Sequence, residues 1–353
     1  MLAEQVSNGS PTGAQMNRHI ILLMGLPRSG TTWVAKILDS DPHTVYRHEP
    51  DRGTTLKSMP LAPNISEWQA LRPAAEAFAS RLLNITKPHV VGSQPKFPKV
   101  YRSRVVSELY DWNVKAAKIA SAAHLNVPIF SMVDWDKFPD LSIVWKSVGS
   151  IGRLGVFVRV LENPHAIILL RHPCGHVASV LRGEAQRKFA YPPSEDYGMF
   201  EILLNTEAAR RHRLKLDQLM SMHPTERLAW RWVILYEKAL NDTEGIDRCM
   251  SIRYEDICAE PEKHARRVME FCGLSWGNVT ADFVKNSTSA EDKRYYSVFK
   301  NPLRSAMRWQ SDLSTEDIDR IYRVVGESDL LRLYPREPEC EDASSTDKIL
   351  QGD

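Results

Sequence analysis

The chain has 353 residues, with 46 Lys and Arg against 44 Asp and Glu, for a formal net charge of +2. Its 43% hydrophobic and 25% charged residues are ordinary globular composition, which excludes a wholly disordered chain, a collagen and a coiled coil. The near-even charge balance argues against a protein that coats nucleic acid through bulk charge, but it leaves room for a local anion site.

Residues 1–18 are polar and punctuated by Gly and Pro, so a loose tail is expected. Residues 20–25 form a short continuous apolar run that stops at Gly25 and Pro27, the pattern of a strand buried on both faces. The run reaches only to Leu26, far short of the ~20 residues that cross a bilayer. It also lacks the basic start and cleavage site of a secretory signal. A helix is expected from Thr32 to Leu38 and a short strand at 44–46. Helical patterns follow at about 66–83 and 98–124, then β-rich runs at 142–148 and 166–170. Pro173 suits the first turn of a helix through Arg182. Helices at 199–221 and 225–240 precede a strand at 249–253, and helices at 261–272 and 315–326 complete the pattern. Residues 337–353 set a run of Asp and Glu against the single Lys348, an acidic tail.

Short strands alternating with helices predict an α/β fold with a parallel sheet covered on both faces, one domain over residues 19–336. The charge-rich helices of 66–124 and 199–240 read as insertions that roof one edge of the sheet. The five cysteines, Cys174, Cys249, Cys258, Cys272 and Cys340, are odd in number and form no C-x-x-C pair. Reduced thiols in a cytosol are therefore expected, not a disulfide framework or zinc ribbon. A cytoplasmic protein without stable membrane insertion is the expectation; the oligomeric state is open.

The segment Gly25-Leu-Pro-Arg-Ser-Gly-Thr-Thr-Trp33 follows the first strand and opens a helix. Gly25 and Gly30 allow a tight turn that aims backbone N–H groups and the helix N-terminus at one point, which suits a phosphate. Compared with the P-loop spacing G-x-x-x-x-G-K-[ST], Gly25, Gly30 and Thr32 match, Thr31 stands where the Lys belongs, and Arg28 supplies a cation. The P-loop Lys reaches the β- and γ-phosphates of a nucleoside triphosphate, so its loss weakens a small-molecule kinase reading. The fold is thus P-loop-like without a complete P-loop. A second candidate anion site is Arg171, which ends a strand ahead of Pro173 and of Ser179 in the next helix; Arg offers a bidentate fork.

These residues resemble the sulfotransferases that use 3′-phosphoadenosine 5′-phosphosulfate (PAPS), in particular their carbohydrate and bacterial members. PRSGTTW is similar to the family's 5′-phosphosulfate loop. The resemblance implies that Arg28, Ser29, Gly30, Thr31 and Thr32 hold the 5′-phosphosulfate, with Trp33 beside the adenine. R-x-P followed by Ser resembles the family's 3′-phosphate grip, so Arg171 and Ser179 inherit that role. The Tyr254-Glu-Asp256 segment is similar to a strand end where Tyr approaches the nucleotide. Near residues 299–313 the family carries a basic loop and a W-x-x-x-L segment over the nucleotide, which makes Lys300 and Arg304 candidates for the 3′-phosphate.

The implied reaction moves a sulfuryl group from PAPS to an acceptor hydroxyl or amine. Fixed cations at the leaving oxygen carry such a step; Arg28 is one, and the resemblance makes Lys146, in Val144-Trp-Lys-Ser147, the other. Cytosolic members place His two residues after that Lys, whereas here the triplet is Lys146-Ser147-Val148. Arg47-His-Glu-Pro50 resembles an F/Y-E-P segment whose Glu is the base, so Glu49 is the candidate base and His48 the fallback. The alternatives for Lys146 and Glu49 are a solvated strand-end Lys and a salt-bridging carboxylate. No His/Asp/Glu run has metal-ligand spacing, so no metal is expected. The acceptor is expected to be a small molecule or a carbohydrate hydroxyl, with a lipid, secondary metabolite or peptide Tyr open, and no nucleic acid is expected. Trp68, Trp112, Trp135, Trp230 and Trp232 read as core, with an acceptor-stacking platform as the alternative. A catalytically inactive nucleotide-binding module is the non-enzymatic alternative.

Overall fold

The computed structural model describes residues 18–52, 56, 58–123, 125, 127, 129–130, 133–289 and 302–336. Both expected tails, 1–17 and 337–353, lie outside the described residues, as does Lys300.

Five strands form one sheet: β1 (Ile20–Met24), β2 (Thr44–His48), β3 (Ser142–Ser147), β4 (His165–Leu170) and β5 (Cys249–Arg253). They lie in the order β2-β3-β1-β4-β5, and every pairing is parallel. Side chains alternate between two apolar layers, as period-two strands require. Ile20, Leu22 and Met24 join Trp145, Ile168 and Leu170 on one face, while Ile21 and Leu23 join Val144, Ile167 and Leu169 on the other. Burial on both faces explains why these strands read as continuous apolar runs.

The helices in chain order are α1 (Thr31–Asp39), α2 (Trp68–Asn84), α3 (Pro88–Val91), α4 (Arg104–Ala122), α5 (Leu154–Val160), α6 (Pro173–Ala185), α7 (Tyr197–Leu204), α8 (Glu207–Arg211), α9 (Leu216–Ser221), α10 (Pro224–Asp242), α11 (Tyr254–Ala259), α12 (Pro261–Phe271), α13 (Asn278–Ser289), α14 (Pro302–Met307), α15 (Trp309–Asp312) and α16 (Thr315–Val325). Helices α1, α12 and α13 cover one face of the sheet; α2, α5, α6, α10 and α16 cover the other.

Two expectations are corrected here. Helices α2 and α10 do not roof an edge. Phe78 of α2 packs on Trp145 and Phe157 with ring centroids 4.9 and 6.3 Å apart, and Trp232 and Tyr236 of α10 are fully buried. Their charges form the outer face of amphipathic core helices. The single helix expected over 199–221 is three. Thr206 caps α8 by accepting from Ala209 N while its hydroxyl donates to Leu203 O, and Arg213 turns left-handed at φ 53°. A capping side chain and a positive φ interrupt a helix whatever its hydrophobic pattern. Of the tryptophans read as core, Trp230 and Trp232 are buried, Trp68 and Trp135 are partly covered, and Trp112 is exposed.

Candidate active site

In an open parallel sheet, ligands bind beyond the carboxyl ends of the strands, where successive connections leave in opposite directions. That crevice lies between β1 and β4 here. β1 leads away to β2 at one edge and β4 to β5 at the other. Each of the five strands delivers one candidate residue there: Arg28 after β1, Glu49 after β2, Lys146 on β3, Arg171 after β4 and Tyr254 after β5.

The loop after β1 is tightly constrained. A Cβ on Gly25 would sit 2.6 Å from Leu169 O, so close backbone approach demands glycine. Gly30 has φ 85°, and its Cβ would meet the Tyr254 ring at 2.3 Å, so both backbone and neighbour exclude a side chain. Arg28 is itself left-handed at φ 72°, a conformation that surrounding structure must hold in place. Tyr236 of α10 does much of that holding. Its hydroxyl donates to Leu169 O at 2.8 Å and accepts from Leu26 N at 3.3 Å. With its only proton committed, it accepts from Ser29 Oγ at 3.0 Å. Ser29 is thus turned into the core, its hydroxyl engaged by the loop's own support.

Thr31 is buried at the first turn of α1, and Thr32 is partly exposed beside it. Trp33 faces the α1–α13 packing, where its indole N–H donates to Ser287 Oγ at 2.9 Å, and it meets Tyr254 edge-on at 6.2 Å. It therefore stands behind Tyr254.

The two basic motifs meet. Arg28 Nε donates to Ser179 Oγ at 3.3 Å. Arg171 Nη1 donates to Arg28 O and Nη2 to Ser305 O, and the guanidinium lies 5.3 Å from the Tyr254 ring centroid. Arg171 is buried, and its Nε finds no acceptor among the described residues. Trp232 Nε1 donates to Arg171 O at 2.9 Å and fixes the strand end. Arg182 also reaches Ser179 Oγ, at 3.4 Å, and pairs with Asp312. Trp309 stacks on His172 with centroids 4.5 Å apart and planes at 12°, bringing the segment after α14 down on this corner. Arg304 lies exposed on α14, which packs against α11.

The third group is an ion pair. Lys146 Nζ contacts Glu49 Oε1 at 2.5 Å, and Glu49 N donates to Lys146 O at 2.8 Å, so backbone and side chain both bind β2's end to β3. Burial pushes the Glu49 carboxyl up, but Lys146, His48 and Arg52 outweigh it and hold it below its ordinary value. Lys146 is almost fully buried; burial lowers its pKa, Glu49 resists, and the nearby Arg28 guanidinium adds to the lowering. His48 is driven down to about 3, by burial first and Lys146 next. Its Nδ1 contacts Tyr46 Oη at 2.8 Å, and its Nε2 lies 3.9 Å from Glu49 Oε1.

Asp51 was not singled out from the sequence. It accepts from Ser147 Oγ at 2.6 Å, Ser150 Oγ at 2.5 Å and Trp145 Nε1 at 3.4 Å. Two residues beyond Glu49, it ties the carboxylate's turn to the end of β3 and so positions the ion pair. The sequence did not show this, as no spacing links Asp51 to serines almost a hundred residues on. Tyr236 was missed for a similar reason: within a helical pattern a Tyr reads as one more apolar position.

The residues thus bring two arginines, backbone amides and a helix N-terminus together, next to a lysine–carboxylate pair. The family model described as "Sulfotransferase family" matches residues 21–278, which include every one of these strand ends. The chain belongs to the sulfotransferase family. No curated protein matches the chain. Among solved structures, the sulfotransferase domain of the curacin biosynthetic pathway is 16% identical, covering 88% of this chain and 98% of that one, with a TM-score of 0.45. Sulfotransferase STF9 from Mycobacterium avium is 15% identical over 92% of this chain and 78% of that one, TM-score 0.41. Mouse sulfotransferase SULT7A1, solved complexed with PAP, is 11% identical over 93% of each chain, TM-score 0.41.

As a sulfotransferase the chain is a transferase, and sulfuryl transfer is its chemistry. No helix among the described residues is long and apolar enough to cross a membrane. A cavity of about 350 Å³ lined by Arg18, Ile20, Arg72, Glu76 and Ile143 lies at the amino ends of β1 and β3, away from the sulfotransferase corner.

Proposed function

We propose that this sulfotransferase takes its sulfuryl group from PAPS and passes it to the hydroxyl of a small-molecule or carbohydrate acceptor, with Glu49 as general base. The observation that carries the reading is the meeting of Arg28, Arg171, Ser179 and Tyr254 beside the Lys146–Glu49 pair. The donor supplies a sulfuryl group already activated by its link to a phosphate.

The N-terminus of α1, the loop amides, Arg28, Thr31 and Thr32 receive the 5′-phosphosulfate. Arg171 and Ser179 receive the 3′-phosphate, for which Arg171 Nε, without an acceptor among the described residues, is a ready donor. Arg304 and Lys300 add charge from the covering segment, and the Tyr254 ring, with Trp33 behind it, forms the wall of the nucleotide site. Ser29 contributes through its place in the loop.

By analogy with phosphoryl transfer, the step is in-line with a loose transition state. The bond from sulfur to the bridging oxygen breaks, a bond to the acceptor oxygen forms, and adenosine 3′,5′-bisphosphate leaves. Arg28 and Lys146 stabilise the charge that grows on the bridging oxygen. Glu49 takes the acceptor's proton. At rest Lys146 holds Glu49 deprotonated but weakly basic; as Lys146 turns towards the bridging oxygen, Glu49 loses its nearest cation and its proton affinity rises. His48, driven down to about 3 by burial and by Lys146, is neutral beside Glu49 and is the fallback base. Because two side-chain cations balance the charge, a metal chelator is expected to leave turnover unchanged.

The test is binding followed by transfer. Adenosine 3′,5′-bisphosphate should stabilise the protein against heat far more than adenosine 5′-monophosphate, and labelled PAPS should pass its sulfur to members of an acceptor library. Tighter binding of ATP–Mg²⁺ would instead indicate a kinase, and nucleotide binding without transfer to any acceptor an inactive module.

A further inference from the structure

Helix α4 has three faces. Tyr110, Val114 and Ala117 are buried against Val91 and Ile129. Arg104, Glu108, Asp111, Lys115 and Lys118 form a charged face. Between them run Val105, Leu109, Trp112, Ala116 and Ile119, all exposed. The exposure is large: 66% for Val105, 60% for Leu109, 70% for Trp112 and 73% for Ile119. Of the thirteen large exposed hydrophobic residues among those described, eight lie in residues 100–130. Single apolar residues on a surface need no explanation, but a contiguous stripe marks an interaction site.

The spacing identifies what covers it. The steps are four, three, four and three residues, and at 100° per residue the stripe is roughly 80° wide. That is the narrow seam through which one helix pairs with another; a helix lying on a bilayer presents a broader apolar face. The flanking charges identify the partner as the same helix. Set two copies of α4 antiparallel about a two-fold axis at Trp112. Val105 then faces Ile119 of the partner subunit, Leu109 faces Ala116 of the partner subunit, and Trp112 meets the partner's Trp112. Glu108 falls opposite Lys115 of the partner subunit, and by symmetry this pair occurs twice. Parallel helices would instead set Glu108 and Lys115 against the partner's Val106 and the partner's Asn113, which offer them no opposite charge. Among the described residues of one subunit these charges have exposed partners: Arg104 lies 3.5 Å from Glu108, and Lys115 sits 5.4 Å from the Trp112 ring centroid. Such exposed contacts are weak and leave both groups able to turn.

The helix is held firmly enough to present this seam. Ser103 caps its first turn, Lys118 donates to Gly92 O at 2.6 Å, and Lys96 pairs with Asp111. It packs on α3, which packs on the edge strand β2. The seam therefore lies on the side of the molecule that carries Glu49.

We propose that this sulfotransferase is a two-fold symmetric dimer joined through antiparallel α4 helices, and that Trp112 lies on its axis. The inference is independent of the donor and base assigned above. Sedimentation of the full chain is expected to give twice its 40.2 kDa mass. Trp112→Glu, at an exposed position, should give a monomer with unchanged far-ultraviolet circular dichroism. Glu108→Lys and Lys115→Glu should each raise the dimer dissociation constant about tenfold, equivalent to ~1.4 kcal/mol, and the double exchange should restore it. Trp112→Cys should form an intersubunit disulfide on mild oxidation where the native protein does not. A monomer at about 100 µM, where even micromolar pairing is populated, overturns the proposal. So does a dimer that survives Trp112→Glu, a double exchange as weak as either single one, or a monomer that floats with phosphatidylglycerol vesicles through this helix.

Discussion

Arg171 shows how much one side chain is asked to do. Two of its nitrogens hold the backbone at Arg28 and Ser305, its carbonyl is held by Trp232, and its Nε finds no acceptor among the described residues, which leaves that N–H for the proposed 3′-phosphate. Arg171→Ala is expected to weaken adenosine 3′,5′-bisphosphate by the ~1.5–3 kcal/mol of a charged hydrogen bond. Affinity for adenosine 5′-monophosphate should fall much less, and calorimetry on both nucleotides gives the ratio. An equal loss for the two would assign Arg171 to loop support alone. Glu49→Gln is expected to lower kcat about 10²–10⁴-fold, the usual contribution of a general base, with little change in nucleotide affinity. It also strips buried Lys146 of its counter-charge, so melting temperature should drop as well; Gln still offers an oxygen to the ammonium, which limits that drop. Wild-type kcat in this variant would remove Glu49 from the chemistry. The turn after β1 was legible in the sequence because Gly25 and Gly30 answer to local backbone geometry, whereas the roles expected of Arg171 and Glu49 came from the family resemblance.

At the scale of elements, the loop after β1 is shaped by what packs on it. Gly30→Ala must overcome both a left-handed backbone and the Tyr254 ring at 2.3 Å, whereas Gly245, at φ 71°, has open space around it. Gly245→Ala is expected to cost about 1–2 kcal/mol from backbone strain alone. Gly30→Ala should cost more and should also weaken nucleotide binding, since the ring or the loop has to move; urea unfolding of the two variants makes the comparison. Comparable losses would mean that the Tyr254 contact is soft. All five strands were legible in the sequence to within a residue or two; β1, β3 and β4, buried on both faces, read as apolar runs, whereas β2 and β5 at the sheet edges are more polar. The helices were less legible. Helices α5, α11 and α13 gave too short or too polar a pattern, and the breaks inside 199–221 depend on single capping and left-handed residues. That α10 belongs to the core was hidden by its charged outer face.

At the scale of the whole molecule, buried histidines make stability depend on pH. Burial pushes His19 and His172 down to about 4 and His48 and His176 to about 3. In the unfolded chain these groups titrate near 6.5. Between about pH 3 and 6.5 the unfolded chain therefore binds more protons, so stability rises with pH across that window and is lost as pH falls from 6.5 towards the folded-state values. Each such histidine contributes at most about 1.4 kcal/mol per pH unit. Glu255 and Asp242, raised by burial, act in the opposite direction and reduce the slope. Melting temperature is expected to fall steeply from pH 6.5 to 5, and His176→Leu should flatten the curve; a melting temperature constant over that range would contradict the burial of these rings. Carboxylates held below their usual values, such as Glu49, add a further loss only at lower pH.

The sequence by itself determined the strands, their alternation with helices, and a glycine-bearing turn between β1 and α1. These follow from period-two burial and from glycine's freedom to turn, both local properties of the chain. Only the tertiary structure decided that Ser29 faces Tyr236, that Trp33 stands behind Tyr254, that Asp51 braces the Glu49 turn, and that α4 keeps an apolar stripe uncovered. Each of these joins segments far apart in sequence, and which side chain meets which is set by how the helices pack on the sheet, something no spacing along the chain encodes.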